Sequence, residues 1–262
     1  MYLRSVHTES SIPHLLQFIR DNPLGILTTA IRSSTYPLLQ SSHIPWVLDV
    51  LESESVNPDE PVKARLRGHM ARQNPQSKAI IDSLTAKEST SSSPPSQLEE
   101  DVLVLFNGPH HHYVTPKFYT ETKPSTGKVV PTWNYSAVQV YGKATIYHDS
   151  SSPETSEFLD KQIHDLSEHS ETAVMGYTGE EGKLAPWKVS DAPDRYIEIM
   201  KKNIIGIEIT IEQIGGKYKM SQEMGKGDRE GVINGFNSLG TDVGAGIART
   251  VKERGDLKDA AK

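Results

Sequence analysis

Trp133, Asn134 and Tyr135 stand side by side in a stretch from Lys128 to Ile146 that Pro131 breaks before the chain turns extended. From Val138 to Ile146 apolar and polar residues alternate, the period of a half-buried strand. Trp and Tyr offer broad flat faces with a polar handle, and Asn offers both donors and acceptors. At the entrance of a strand this set suits a flat ligand rich in nitrogen and oxygen. It equally suits a Trp that plugs one end of a barrel while the Asn caps a turn.

A second group is basic. Arg67, His69 and Arg72 follow or end a strand expected over Val62 to His69, and Asn74-Pro75 comes directly after them. Asn is a good N-cap and Pro a good first helical residue, so a helix starts here, with Ile80, Ile81 and Leu84 on its apolar side. Three basic groups just ahead of a helix N-terminus, with its free N–H groups and partial positive charge, have the chemistry of a phosphate site. A solvated basic turn is the plainer alternative.

These segments are parts of a longer pattern. It begins with Phe18-Ile19-Arg20-Asp21-Asn22-Pro23-Leu24-Gly25, Thr28-Thr29 and His43-Ile44-Pro45, and passes through Gly68-His69-Met70-Ala71-Arg72-Gln73-Asn74-Pro75. It continues with Tyr113-Val114-Thr115-Pro116, Val130-Pro131-Thr132-Trp133-Asn134-Tyr135, Trp187, Asp191-Ala192-Pro193, Ile205-Gly206-Ile207-Glu208-Ile209 and Lys217-Tyr218-Lys219-Met220-Ser221-Gln222. In that order along one chain the pattern resembles the PAI 2-type family of FMN-binding negative transcriptional regulators, within the flavin split-barrel superfamily. The resemblance implies a six-stranded barrel core, FMN as cofactor, and a homodimer with a flavin-type site between subunits. It places Thr28, Thr29, His43 and Ile44 beside the flavin. It also draws in Lys217, Ser221 and Gln222, where Tyr218 stands for the more usual Trp. Haem is a weaker alternative, because related split barrels include haem-degrading proteins and this chain is rich in His.

Composition sets bounds. The chain has 262 residues, 35% hydrophobic, with mean hydropathy −0.49, net charge −6 and pI near 5.9. No run approaches the length of a membrane span, and Met1 to Glu9 lacks a basic-then-apolar signal pattern. There is no Cys, hence no disulfide, thiolate ligand or Cys nucleophile, and the expected compartment is the cytoplasm, with the nucleus open. The acidic balance advertises no basic nucleic-acid face, and no helix-turn-helix pattern is visible. Nucleic acid as a partner rests on the family label alone.

The elements that must position these groups follow from periodicity. An amphipathic helix is expected over Ser11 to Arg20, strands over Leu24 to Ile31 and Leu38 to Leu48, and a buried strand over Val102 to Phe106. Helices are expected over Pro153 to His169, from Asp191 to Lys201, and briefly over Gly231 to Phe236. Ile205 to Glu212 alternates, and Gly215-Gly216 reads as the turn of a hairpin returning through Lys217 to Gln222. The class is α+β, a mainly antiparallel split β-barrel with peripheral helices. A single domain over 1–240 carries a Ser/Pro-rich surface insert near 85–99, and 241–262 is expected to be a flexible tail.

Other candidates are plain. His110-His111-His112 alternate sides in an extended chain, so at most two converge, and no metal site is expected. No nucleophile–base–acid triad, P-loop or dinucleotide fingerprint is present. The function expected is a flavin-dependent or ligand-sensing regulator, with a small FMN oxidoreductase using a nicotinamide donor as the alternative.

Overall fold

The structure is a computed structural model and describes residues 1–51, 63–88 and 96–260. In chain order it has β1 (Thr8–Glu9), α1 (Ile12–Asp21), β2 (Leu24–Ala30), β3 (Leu39–Pro45), β4 (Val47–Val50), β5 (Ala64–Ala71) and α2 (Pro75–Glu88). Then come β6 (Val102–Asn107), β7 (His112–Val114), α3 (Thr122–Thr126), β8 (Thr132–Tyr147), α4 (Pro153–His169) and α5 (Asp194–Lys201). β9 (Ile204–Lys219), α6 (Lys226–Asn237) and α7 (Asp242–Ala260) complete it. The α+β class holds, and the pairs β1–β9, β2–β3, β2–β6, β4–β5, β5–β9 and β7–β8 are all antiparallel. No described helix is long and apolar enough to cross a membrane.

Contacts group the residues into two compact units, each assembled from separate stretches of chain. The first unit is Met1–Asn22, Phe106–Gln139 and Ile214–Lys262; the second is Pro23–Leu105 and Val140–Gln213. The strand order β3-β2-β6-β8-β9-β5-β4 runs through the sheet, with β1 on β9 and β7 on β8.

In the second unit the alternation of β2 sends Gly25, Leu27 and Thr29 inward. The strand expected over Leu38 to Leu48 is in fact two, interrupted at Trp46. Trp46 donates its backbone N–H to Pro23 O at 2.9 Å instead of to a ladder partner, and its ring is fully buried. The ring lies against Gly68, where an added Cβ would stand 2.9 Å from it, so only Gly lets β5 pass there. Asn74 caps α2 as expected: Oδ1 accepts from Gln76 N–H at 2.9 Å. The Ser/Pro-rich insert falls largely on 89–95, outside the described residues.

The first unit brings two corrections. β9 runs unbroken from Ile204 to Lys219, so Gly215-Gly216 is not a hairpin turn. A Cβ on Gly216 would lie 2.0 Å from Leu15 Cδ2: the glycine is there so that α1 can seat Leu15 on the strand. The expected flexible tail is the nineteen-residue helix α7. Ile247, Ala248 and Val251 pack with Val114, Tyr119, Met220, Val232 and Phe236 in one buried cluster. The spacing Val243, Ile247, Val251 is helical, but three glycines and eight charges in Asp242–Ala260 mask it.

Candidate functional site

The residues expected to form the site divide between the two units. Thr28, Thr29, His43, Ile44, Arg67, His69, Arg72 and Asn74 belong to the second; Trp133, Asn134, Lys217, Ser221 and Gln222 belong to the first.

In the second unit most of the basic cluster is committed to holding the fold. Arg67 is 2% exposed, and all three of its guanidinium nitrogens donate: Nε to Asp49 Oδ2 at 2.5 Å, Nη2 to Asp49 Oδ1 at 2.9 Å and Asp165 Oδ2 at 2.5 Å, and Nη1 to Gln162 Oε1 at 3.3 Å. Burial would raise the Asp49 carboxyl, but hydrogen bonding and charge from Arg67 hold it below the usual range. Asp165 is likewise held low against burial, by Lys161 and Arg67. A phosphate on Arg67 would have to displace two carboxylates. Arg72 clasps backbone carbonyls: Nη2 reaches His148 O at 2.5 Å, and Nε reaches Lys202 O at 3.3 Å. Asn74 spends its Nδ2 on Ser42 Oγ at 2.9 Å. Buried Thr29 accepts from Gln76 Nε2 at 3.0 Å, whereas Thr28 meets Ser41 Oγ at the surface. His43 is exposed and Ile44 is buried beside Gly68. His69 is the group left over. Burial holds its imidazole below the usual His pKa, so it is neutral, and its buried Nδ1 has no partner among the described residues.

In the first unit the structure draws the expected residues together. Trp133 lies on β8, 54% exposed, with the Tyr113 ring edge-on at 6.3 Å and the His111 ring at 6.1 Å. The pairing of β7 with β8 causes this, because it sets Tyr113 opposite Trp133. Lys219, on β9, donates from Nζ to Trp133 O at 2.9 Å and to the Thr132 hydroxyl. Burial holds its pKa below the usual lysine value, opposed by Glu223 and Tyr135, while the like charge of Lys217 adds to the lowering. Lys217 is 7% exposed; its ammonium donates to Tyr2 O at 3.2 Å and stands 5.4 Å from the centre of the Tyr135 ring. Neither lysine forms an ion pair among the described residues. Glu223, the nearby acid, is committed to His7 at 3.0 Å.

Asn134 and Ser221 underlie this face. They are fully buried and bonded to each other through Asn134 Nδ2–Ser221 Oγ at 3.1 Å and Ser221 Oγ–Asn134 Oδ1 at 3.2 Å. Ser221 holds φ +60°, a left-handed conformation that costs a non-glycine residue about 1–3 kcal/mol unless its surroundings impose it. Gln222 fastens the same turn, accepting from Met220 N–H at 2.7 Å and donating to Tyr218 O at 2.5 Å. Asn134, Ser221 and Gln222 therefore shape the end of β9, Trp133 presents its ring at the surface beside Lys219, and Lys217 lies buried next to them. Tyr113, His111, Thr132 and Lys219 were not among the site residues expected from the sequence, although the residue pattern contains Tyr113, Thr132 and Lys219. The pairing of β7 with β8 is what brings Tyr113 and His111 to Trp133, and no periodicity marks it.

The histidine run scatters. The His110 ring packs against Gly246, and its buried Nδ1 has no partner among the described residues. His112 turns to Phe236 at 5.4 Å. Among the described residues, no group of three His, Cys, Asp or Glu is placed to hold a metal ion.

The antiparallel sheet with its helices agrees with the fold class the residue pattern resembled. The chain belongs to the family described as putative FMN-binding domain, whose model matches residues 1–213. It is 64% identical over 261 residues to an uncharacterized protein of Aspergillus fumigatus, covering 99% of both chains. Protease synthase and sporulation protein PAI 2 of Bacillus subtilis is 26% identical over 233 residues, 89% of this chain and 87% of that one. Among solved structures, a pyridoxamine 5′-phosphate oxidase-related, FMN-binding protein of Nostoc punctiforme overlaps 82% of this chain and 84% of its own, at 12% identity and a slight TM-score of 0.36.

Proposed function

We propose that this chain binds FMN on the β8–β9 face of the first unit and acts as a ligand-sensing regulator. The observation that carries the reading is the conjunction of an exposed Trp133 ring with two lysines, Lys217 and Lys219, that have no carboxylate partner among the described residues. FMN has the matching parts, a broad flat ring and a dianionic phosphate. Stacking on an aromatic face and charge-assisted bonds from ammonium groups are the interactions those parts seek. A pair of partly desolvated ammoniums side by side is unfavourable alone and is relieved by an anion. Bound FMN would supply redox chemistry. The residues here would bind and orient it: Trp133 under the ring, Lys217 and Lys219 on the phosphate, and Asn134 and Ser221 holding the strand end in shape. In the second unit, the buried His69 Nδ1, without a partner among the described residues, could meet a ligand.

The regulator role is supported by the PAI 2 relative alone, and the net charge of −6 favours sensing through protein contacts over a basic nucleic-acid face. We further read the protein as a cytoplasmic homodimer.

The test is titration with FMN and with riboflavin, which lacks the phosphate, followed by quenching of Trp emission. Wild type binds FMN more tightly. Lys217→Met with Lys219→Met weakens FMN by about 1.5–3 kcal/mol per lost charged bond and leaves riboflavin unchanged. Trp133→Leu removes most of the quenching. Equal loss of both ligands in the lysine variant refutes the phosphate assignment. Rapid bleaching of bound flavin by a reduced nicotinamide would turn the reading to the oxidoreductase, and a Soret band in the purified protein would turn it to haem.

A further inference from the structure

Lys219 has the setting of an amine that reacts as a nucleophile. Trp133 and Tyr135 stand two apart on β8, and Lys217 and Lys219 two apart on β9, so each pair points to one side of its strand. Lys217 Nζ lies 5.4 Å from the centre of the Tyr135 ring, which puts both pairs on the same face of the first unit. Lys217 is the buried member, and its ammonium is spent on Tyr2 O at 3.2 Å. Lys219 is half-buried, and its bond to Trp133 O at 2.9 Å lies at the surface, where a small molecule can reach it.

The partners of Lys219 Nζ are two uncharged oxygens, Trp133 O and the Thr132 hydroxyl. No carboxylate bonds to it among the described residues. A neutral amine has two N–H groups, and with both directed to these oxygens its lone pair is left for a reacting atom. Burial disfavours the ammonium form, and the like charge of Lys217 adds to this; Glu223, itself paired with His7, and Tyr135 oppose it without prevailing. Partial desolvation beside a second ammonium is one way a lysine becomes nucleophilic near neutral pH.

We propose that Lys219 is a covalent receptor for a small aromatic aldehyde, captured as an imine on Nζ with its ring against Trp133. The exposed Trp133 ring supplies the flat surface that an aromatic ligand seeks. An aldehyde is the class that a neutral amine binds reversibly, as a sensing face requires. In the step, the Nζ lone pair bonds to the carbonyl carbon, and the carbonyl oxygen leaves as water with the two amine hydrogens. No oxidant, reductant or cofactor is consumed, and hydrolysis returns both partners. The protonated imine keeps one N–H for Trp133 O or the Thr132 hydroxyl. The capture shares Trp133 and Lys219 with the flavin reading but stands without it, because it takes the neutral amine where a phosphate takes the ammonium.

The test uses protein free of flavin, treated with 2-hydroxybenzaldehyde and cyanoborohydride and mapped by peptide mass. Lys219 is expected to be labelled about tenfold or more faster than any other lysine. Lys219→Arg, which keeps the donors, is expected to lose this label with its circular dichroism spectrum unchanged. Relative to free Nα-acetyl-lysine, the rate advantage is expected to be larger for 2-hydroxybenzaldehyde than for propanal, and Trp133→Leu is expected to abolish that difference. Acetic anhydride, which acylates neutral amines, reports the titration. The midpoint at Lys219 is expected below that of Nα-acetyl-lysine, moved up by Lys217→Met and down by Glu223→Gln. Label spread evenly over the lysines overturns the proposal, and so does a Lys219 midpoint at that of Nα-acetyl-lysine. An equal advantage for both aldehydes overturns the aromatic class and the role of Trp133.

Discussion

Ile247 and Val251 sit one turn apart on α7, both without solvent exposure, and both touch the cluster around Phe236 and Val232. Truncating either removes buried methyl groups and leaves a cavity that α6, itself packed on that cluster, cannot close by moving alone. Ile→Ala in such a place costs about 2–5 kcal/mol, and Ile247 belongs near the middle of that range, about 3 kcal/mol. Val251→Ala removes two carbons, about 1.6 kcal/mol by transfer and somewhat more with the cavity. The two share neighbours, so the double variant will not be strictly additive and is expected to lose about 4–6 kcal/mol. Val243→Ala, on the exposed side of the same helix, is the control, with a change within about 0.5 kcal/mol. Urea unfolding followed by Trp emission measures this, and Trp133 is the tryptophan of the first unit. Through these contacts residues 242–260 belong to the fold, although the family match ends at residue 213. A chain ended at Thr241 that unfolds at the wild-type urea concentration would refute it.

Gly216→Ala is expected to destabilise the first unit by about 1–3 kcal/mol, because its Cβ would strike Leu15; Leu15→Ala made in the same chain should recover part of that loss, which a thermal melt of all three variants will show. Arg67→Met leaves Asp49 with Arg65 and Asp165 with Lys161 as their remaining partners and should cost about 1.5–3 kcal/mol by urea unfolding, whereas a site held only by exposed charge would lose under about 1 kcal/mol. Since both carboxyls lie below their ordinary value in the folded state, their contribution is complete above about pH 4 and fades as pH falls through the depressed values. Wild type should therefore lose stability on acidification below about pH 4 more steeply than Arg67→Met; equal slopes would show that the pair does not couple to folding.

Local chemistry was legible wherever the chain answers to its own neighbours. Asn74-Pro75 starts a helix because the cap is made two residues away, and α4 begins and ends where its spacing and Pro153 say it should. The alternation over Val138 to Ile146 becomes β8, and the ordered pattern from Phe18 to Gln222 was enough to identify the family. What distant partners decide was not legible. Gly215-Gly216 has the composition of a turn, and it is strand because Leu15, two hundred residues away, needs the room. Arg67 has the composition of a phosphate ligand, and it is a buried tie because Asp49 and Asp165 arrive from β4 and α4. Residues 242–260 are polar and glycine-rich enough to read as a tail, yet a few apolar groups four apart suffice once α6 and β7 offer them a surface. Trp133 gained its aromatic and basic surroundings in the same way, from strands whose register only the folded sheet sets. A sequence prescribes the interactions a segment can make with itself; which of its polar groups stay free for a ligand depends on what the rest of the chain has already taken.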